Sequence, residues 1–228
     1  MKKMLLVALL TAVASVMACS SAPSRSNADT GTAGEAASQP ASKGTALARA
    51  PGPGLAVATF AGGCFWCMEP PFEKLDGVKE AYSGYTGGPE AGPTYNEVAR
   101  GRTGHTEAVR VVYDPKVVTY ERLLDVFWRS MDPTDLGGQF VDRGSQYRPG
   151  IFVHDEAQRK AAESSKAALQ GADRFDAPIV VPIAKAGDFW LAEGYHQDFY
   201  KKDERHYKRY SKGSGRVAFL ERVWGAQK

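Results

Sequence analysis

The sequence predicts an α+β domain with a mixed or antiparallel sheet covered by helices. Three observations carry this. Strand-like and helix-like segments follow one another without a repeated βαβ rhythm, and no internal repeat is present. Two segments, 55–61 and 107–113, have the composition of strands, small and apolar in the first and β-branched in the second. A strongly amphipathic segment after Thr119 then supplies a helix to cover them.

The elements follow in chain order. Met1-Lys2-Lys3 is basic, and Met4 to Ala18 (MLLVALLTAVASVMA) is almost wholly apolar. Together they describe a secretory signal peptide over residues 1–18. The run is short of the roughly 20 apolar residues that a permanent membrane helix needs. It closes on Val16-Met17-Ala18-Cys19-Ser20, which resembles a bacterial lipobox with Cys19 as the acylated residue. Leu is usual where Val16 stands, and the alternative is ordinary cleavage near Ala14 or Ala18. Ser20 to about Gly54 is built of Ser, Ala, Gly, Thr and Pro with no aromatic residue. Such a stretch buries too little apolar surface to offset its ordering entropy, so 19–54 reads as a flexible, lipid-anchored tether. Residues 55–228 have the length of one domain. The formal charge of the whole chain is +3, two of which belong to Lys2 and Lys3, so nothing points to nucleic acid. The cluster KKDERHYKR (Lys201 to Arg209) interleaves acids with bases and reads as a solvated face.

Leu55 to Ala61 (LAVATFA) reads as a buried strand entering a turn at Gly62-Gly63. Cys64 and Cys67 then fall at a helix start, where free backbone N–H groups and the helix dipole lower a thiol's pKa. Pro70-Pro71 predicts a break after a short first turn. In Glu107 to Tyr113 (EAVRVVY), residues Glu107, Val109, Val111 and Tyr113 share one face and Arg110 lies on the other. If that face is the core, Glu107 is a partly buried carboxyl with a raised pKa, suited to general acid chemistry. The alternative is a frayed strand start with Glu107 in water. Thr119 predicts an N-cap, followed by Tyr120, Leu123, Leu124, Phe127 and Trp128 on one helix face. Asp132 to Gly150 predicts a long irregular loop, in which Asp142 and Tyr147 are candidates to line a site. Ile151 to His154 is a short strand, Asp155 caps a helix reaching Gln170, Pro178 to Ala184 is another strand, and Tyr195 to Lys202 a short helix.

Cys64 and Cys67 are two of only three cysteines, and their spacing admits four readings. A zinc site needs further ligands at close spacing, and His105, His154, His196 and His206 are scattered. Haem attachment needs His after the second cysteine, where Met68 stands. A structural disulfide would close a very short loop, which stabilises least. A redox pair at a helix start is the reading that fits, with Phe65 and Trp66 as an apolar wall beside Cys64. Neither aromatic alone excludes a packing role.

The blocks GGCFWC, GYTGG (84–88), TGHTEAVRVVYDP (103–115), FW followed by DPT (127–134), DRGSQYRPGIF (142–152) and AEGYHQDFY (192–200) together resemble peptide methionine sulfoxide reductase of the A type. The resemblance runs from about Val57 to Trp224. It implies a two-layer α/β sandwich around a mixed, largely antiparallel, ferredoxin-like sheet. It also implies reduction of methionine-S-sulfoxide, free or in oxidised proteins and peptides, and no bound cofactor. Matched by position, Cys64 is the nucleophile, Phe65 and Trp66 the pocket for the substrate methyl, and Glu107 the acid. Tyr85 and Tyr147 hydrogen-bond the sulfoxide oxygen, and Asp142 is a carboxylate of the same pocket. Cys67 stands where many members have Gly, and no cysteine follows it, so the resemblance implies a Cys64–Cys67 disulfide that an external, thioredoxin-like thiol reductant reopens. Gly194 stands where an acidic residue is common. With the exported N-terminus, the expectation is an envelope enzyme on the periplasmic side, repairing oxidised exported proteins.

Overall fold

A computed structural model describes residues 44–47 and 51–225. The signal segment 1–18, Cys19 and most of the expected tether lie outside the described residues. Within that tether, β1 (Thr45–Ala46) pairs with Trp190 and Leu191, so the sheet begins ahead of Leu55.

Among the described residues, nine strands and seven helices follow one another. The strands are β1, β2 (Ala56–Ala61), β3 (Val78–Thr86), β4 (Thr106–Tyr113), β5 (Gly138–Gln139), β6 (Asp142–Arg143), β7 (Gly150–Val153), β8 (Ile183–Lys185) and β9 (Phe189–Leu191). The helices are α1 (Phe65–Glu73), α2 (Tyr95–Ala99), α3 (Tyr120–Trp128), α4 (Glu156–Gln170), α5 (Phe199–Lys202), α6 (Glu204–Gly213) and α7 (Arg216–Trp224). Seven strands form one sheet in the order β1-β9-β3-β4-β2-β7-β8. Every pairing is antiparallel except β7 with β8, which α4 connects as a crossover. The architecture is α+β, as the sequence predicts.

The two-residue period of the central strands sorts their side chains. Ala58 and Phe60 of β2 and Val109, Val111 and Tyr113 of β4 meet the helices in the main core. Phe60 stacks on Phe72 of α1 at 5.2 Å and on Phe127 of α3 at 5.1 Å, tying both helices to the middle of the sheet. The opposite face is thinner, with Ala61, Ala108, Phe152 and Phe189 in a small second cluster. Thr119 caps α3 by accepting from the Arg122 N–H, and Asp155 caps α4 by accepting from Gln158 N–H.

Three expectations need correcting. α1 does not break at Pro70-Pro71 but runs to Glu73. The prolines fall late in a helix of nine residues, and burial of Phe65, Met68 and Phe72 offsets the two missing N–H donors. The segment 132–150 is not wholly irregular: β5 and β6 make a small hairpin and Ser145–Tyr147 a 3₁₀ turn. Pro178 to Ala184 joins the sheet only from Ile183, because Pro178 and Pro182 have no N–H to give a ladder. Val180 bonds Pro133 C=O instead.

Candidate active site

Cys64 stands where β2 has ended and α1 begins. Gly63 makes the turn with φ +86°, and a Cβ there would lie 2.6 Å from Gln139 Cβ and 2.9 Å from Arg216 Nη2. The Cys67 N–H donates to Cys64 C=O at 3.0 Å, so one tight turn joins the two cysteines. Both are free thiols and both are buried.

Glu107 arrives from the neighbouring strand. It lies opposite Tyr85 in the β3–β4 register and is only 1 % exposed, so the inward reading of its face holds. Its Oε2 accepts the Phe65 N–H at 3.1 Å. Burial pushes its carboxyl up to about 8, the Phe65 N–H pulls it partly back, and Asp142 pushes it further up.

The helix start therefore serves Glu107, and the expected lowering of the Cys64 pKa does not occur. Cys64 is the N-cap residue of α1 but its side chain accepts no capping hydrogen bond. Burial raises the thiol well above its ordinary value, with Glu107 and then Cys67 adding to the effect. Tyr210 opposes them with a hydrogen bond to the thiol.

Around this pair the other candidates divide. Trp66 stacks on Phe199 at 3.7 Å and donates its indole N–H to His196 Nδ1 at 3.0 Å. Phe65 is buried against His196 (4.9 Å) and Tyr85 (6.0 Å). Tyr147 is half-buried, and its phenol is raised by burial first and then by Glu107, Tyr95 and Cys64. Asp142 accepts from the Tyr210 hydroxyl, and burial raises its carboxyl. Tyr85 is set apart: it is fully buried and its hydroxyl donates a hydrogen bond to Glu193 Oε2 at 2.8 Å.

Residues absent from the sequence-level candidates complete the constellation. Tyr95 opens α2 behind a Thr94–Glu97 capping box, and its phenol is raised by burial first and then by Glu107 and Cys64. A capping box directly before a tyrosine was a readable signal. Tyr210 hides within the charged stretch at 201–210. The bases and acids there are exposed as predicted, but His206, Tyr207 and Tyr210 turn inward at helical spacing. His196 is 1 % exposed, and burial brings its imidazole down to about 4. Gly194 faces open space, so that departure from the common pattern disturbs nothing.

Glu69, Glu73 and Asp198 also come together, but the Lys201 ammonium lies 2.6 Å from Glu73 and 2.7 Å from Asp198 and offsets part of their charge. This group is separate from the thiols. What the site itself offers is a protonated acid next to a thiol, ringed by phenols and aromatic faces.

Comparison with known proteins agrees with this chemistry. Residues 56–228 match the family model described as peptide methionine sulfoxide reductase. The peptide methionine sulfoxide reductase MsrA of Listeria innocua is 57% identical over 170 residues, 75% of this chain and 96% of that protein. The MsrA of Bacillus subtilis is 54% identical over 171 residues, again 75% of this chain, and 97% of the relative. Among solved structures, reduced Mxr1 from Saccharomyces cerevisiae superposes with a TM-score of 0.64 at 32% identity, covering 71% of this chain and 91% of its own. Methionine sulfoxide reductase A of Corynebacterium diphtheriae gives 0.59 at 32% identity, covering 67% and 76%. With a cysteine and a protonated glutamate meeting at the end of its central strands, the chain belongs to the peptide methionine sulfoxide reductase family, a family of oxidoreductases.

Proposed function

We propose that this chain reduces methionine-S-sulfoxide, free or within peptides and proteins, using Cys64 as nucleophile and Glu107 as acid. The observation that carries the reading is the buried Glu107 carboxyl, raised to about 8 and held beside the Cys64 thiol. Cys64 sulfur attacks the sulfoxide sulfur while Glu107 gives its proton to the sulfoxide oxygen. The thiol's own proton replaces it on Glu107; the S–S bond formed by the attack then breaks as the hydroxyl passes from the methionine sulfur to the Cys64 sulfur, leaving methionine and Cys64 sulfenic acid. Tyr147 and Tyr95 are placed to hydrogen-bond the oxygen, and the Phe65–Trp66 side receives the methyl group. Asp142 holds Tyr210 against the thiol. Cys67 then condenses with the sulfenic acid, releasing water and leaving a Cys64–Cys67 disulfide. An external dithiol of the thioredoxin kind reduces it by exchange.

One assay tests the whole reading: turnover of the separated S and R epimers of a methionine sulfoxide peptide with dithiothreitol as reductant. The expected result is reduction of the S epimer alone, abolished by Cys64→Ser. Reduction of insulin disulfides without sulfoxide turnover would instead identify a general thiol–disulfide oxidoreductase.

The N-terminal pattern supports export and anchoring. Residues 1–18 are read as a signal peptide and Cys19 as the acylated first residue, so that the domain is anchored in the cell envelope and works on the periplasmic side, repairing exported proteins. Intact mass of the membrane-extracted protein tests this. A diacylglycerol thioether on Cys19, lost in Cys19→Ala, is the expected result, and a mature chain starting elsewhere without lipid removes the anchor.

A further inference from the structure

Arg216 is the first residue of α7 and is only 3 % exposed. Its guanidinium donates to Gly62 C=O at 3.0 Å and to Ser130 C=O, and it lies 3.8 Å from Met68 Sδ. No carboxylate lies within ion-pair distance of it among the described residues. A buried cation without an anion is costly, and two carbonyl dipoles only partly offset its lost hydration. Two acidic groups feel its charge, the Asp142 carboxyl, which already accepts from Tyr210, and the Cys67 thiol, which also hydrogen-bonds the guanidinium. Arg216 and Cys67 line one groove of about 660 Å³ between α1, α3, α6 and α7, with Ser130, Tyr207 and Ser211.

We propose that Arg216 is the positioning residue of the second chemical step: its fixed charge stabilises the Cys67 thiolate as it forms to attack the Cys64 sulfenic acid. The proposal rests on the reading of Cys67 as the resolving thiol. In that step Cys67 gives up its proton, its sulfur forms the S–S bond, the Cys64 S–O bond breaks, and the oxygen leaves as water with that proton. No outside oxidant is consumed. Every group facing Cys67 fits this division. Burial dominates and leaves the resting thiol above its ordinary value, while Arg216 opposes it most among the neighbours and Ser211 opposes it by hydrogen bonding. Asp142 acts in the opposite direction, and the negative charge that Cys67 would carry raises Cys64 and Tyr207 in turn. The helix-start arrangement expected to favour a thiolate at Cys64 is thus replaced by a guanidinium favouring one at Cys67.

The test separates the two steps. One equivalent of methionine sulfoxide is mixed with reduced full-length protein and acid-quenched at intervals. Released methionine reports the first step, and mapped Cys64–Cys67 disulfide reports the second, each followed from pH 5.5 to 9. Arg216→Gln keeps a donor for the two carbonyls without the charge, whereas Arg216→Lys keeps the charge with poorer hydrogen bonding. The expected result for Gln is disulfide formation slowed about tenfold or more relative to methionine release, with its pH profile moved alkaline by about one unit or more. Lys should keep nearly the wild-type profile even if the melting temperature falls. Equal loss of both steps in Gln, an unmoved profile in Gln, or a profile in Lys displaced as far as in Gln overturns the proposal. If Gln does not fold, Lys decides alone: a wild-type profile supports the charge and an alkaline one overturns it. Failure of the underlying reading looks different, since the wild type would then release methionine without forming a Cys64–Cys67 disulfide.

Discussion

Glu107 and Cys64 rest as an acid and a thiol, both neutral, because ionising either one places a charge in a buried site next to the other. The proposed first step needs both protons in place. The rate of methionine release in a single turnover should therefore hold across pH 6 to 7.5 and fall as pH rises through about 8, where Glu107 loses its proton. Stopped single-turnover measurements check this. Glu107→Gln should slow the step by about 10²–10⁴-fold and remove the limb near 8, with substrate affinity changed far less. Retention of near-wild-type rates would take Glu107 out of the mechanism. At this scale the sequence was a good guide to Glu107, because a strand's two-residue period alone puts it with Val109 and Val111. It misled on Cys64. Spacing shows that a cysteine precedes a helix, but not that a carboxylate from another strand accepts the helix's first N–H.

Helix ends do more here than start helices. Thr94 closes α2, a helix of five residues whose first member, Tyr95, faces the site, and the Tyr95 N–H is further held by Glu193 Oε1 at 2.8 Å. Thr119 closes α3, whose buried face meets only core residues. Replacing either threonine by alanine should cost about 1 kcal/mol of stability. Only Thr94→Ala should also weaken sulfoxide reduction, through a higher KM, since it frees the turn that carries Tyr95. Denaturant midpoints together with steady-state kinetics on both variants distinguish the roles, and equal kinetics in the two would show that Tyr95 needs no such support. Strands carry a comparable constraint at Gly84, where a Cβ would lie 2.3 Å from Trp190 C=O and 2.4 Å from the Phe189 ring. Gly84→Ala should therefore part β3 from β9, lowering the melting temperature and exposing Trp190 to quenchers. The amphipathic period made α3 legible, and caps made its boundaries legible. The pairing of β1 with β9 was not, because an edge strand of two residues has no period to read.

Across the whole molecule, three buried groups tie stability to pH. Glu107 and Glu69 keep protons up to about 8 and about 7, whereas unfolded carboxyls lose theirs near 4.5. Between those values the unfolded chain binds fewer protons, so stability falls as pH rises from about 4.5 through 8. His196 works the other way, staying neutral down to about 4 when an unfolded imidazole is charged below 6.5. Its contribution grows with pH between 4 and 6.5 and partly cancels the carboxyls there. The loss should accordingly be steepest between 6.5 and 7, where both carboxyls act and His196 no longer opposes them, as urea titrations at spaced pH values can show, and Glu69→Gln should flatten it. Fold class was readable from the order and composition of the elements. The full site was not, because it draws on β4, α2, the hairpin, α6 and α7, and only three-dimensional closure brings Tyr95, Tyr210 and Arg216 to Cys64 and Cys67. That closure has a consequence in time. All nine strands precede α6 and α7 in the chain, so a ribosome releases a complete sheet before it releases Tyr210 or Arg216. Until α7 docks, Gly62 and Ser130 carbonyls have no guanidinium and Cys67 no counter-charge. A chain nicked before Arg216 would keep both thiols yet lack the guanidinium proposed to speed their joining, so it should stall at the Cys64 sulfenic acid.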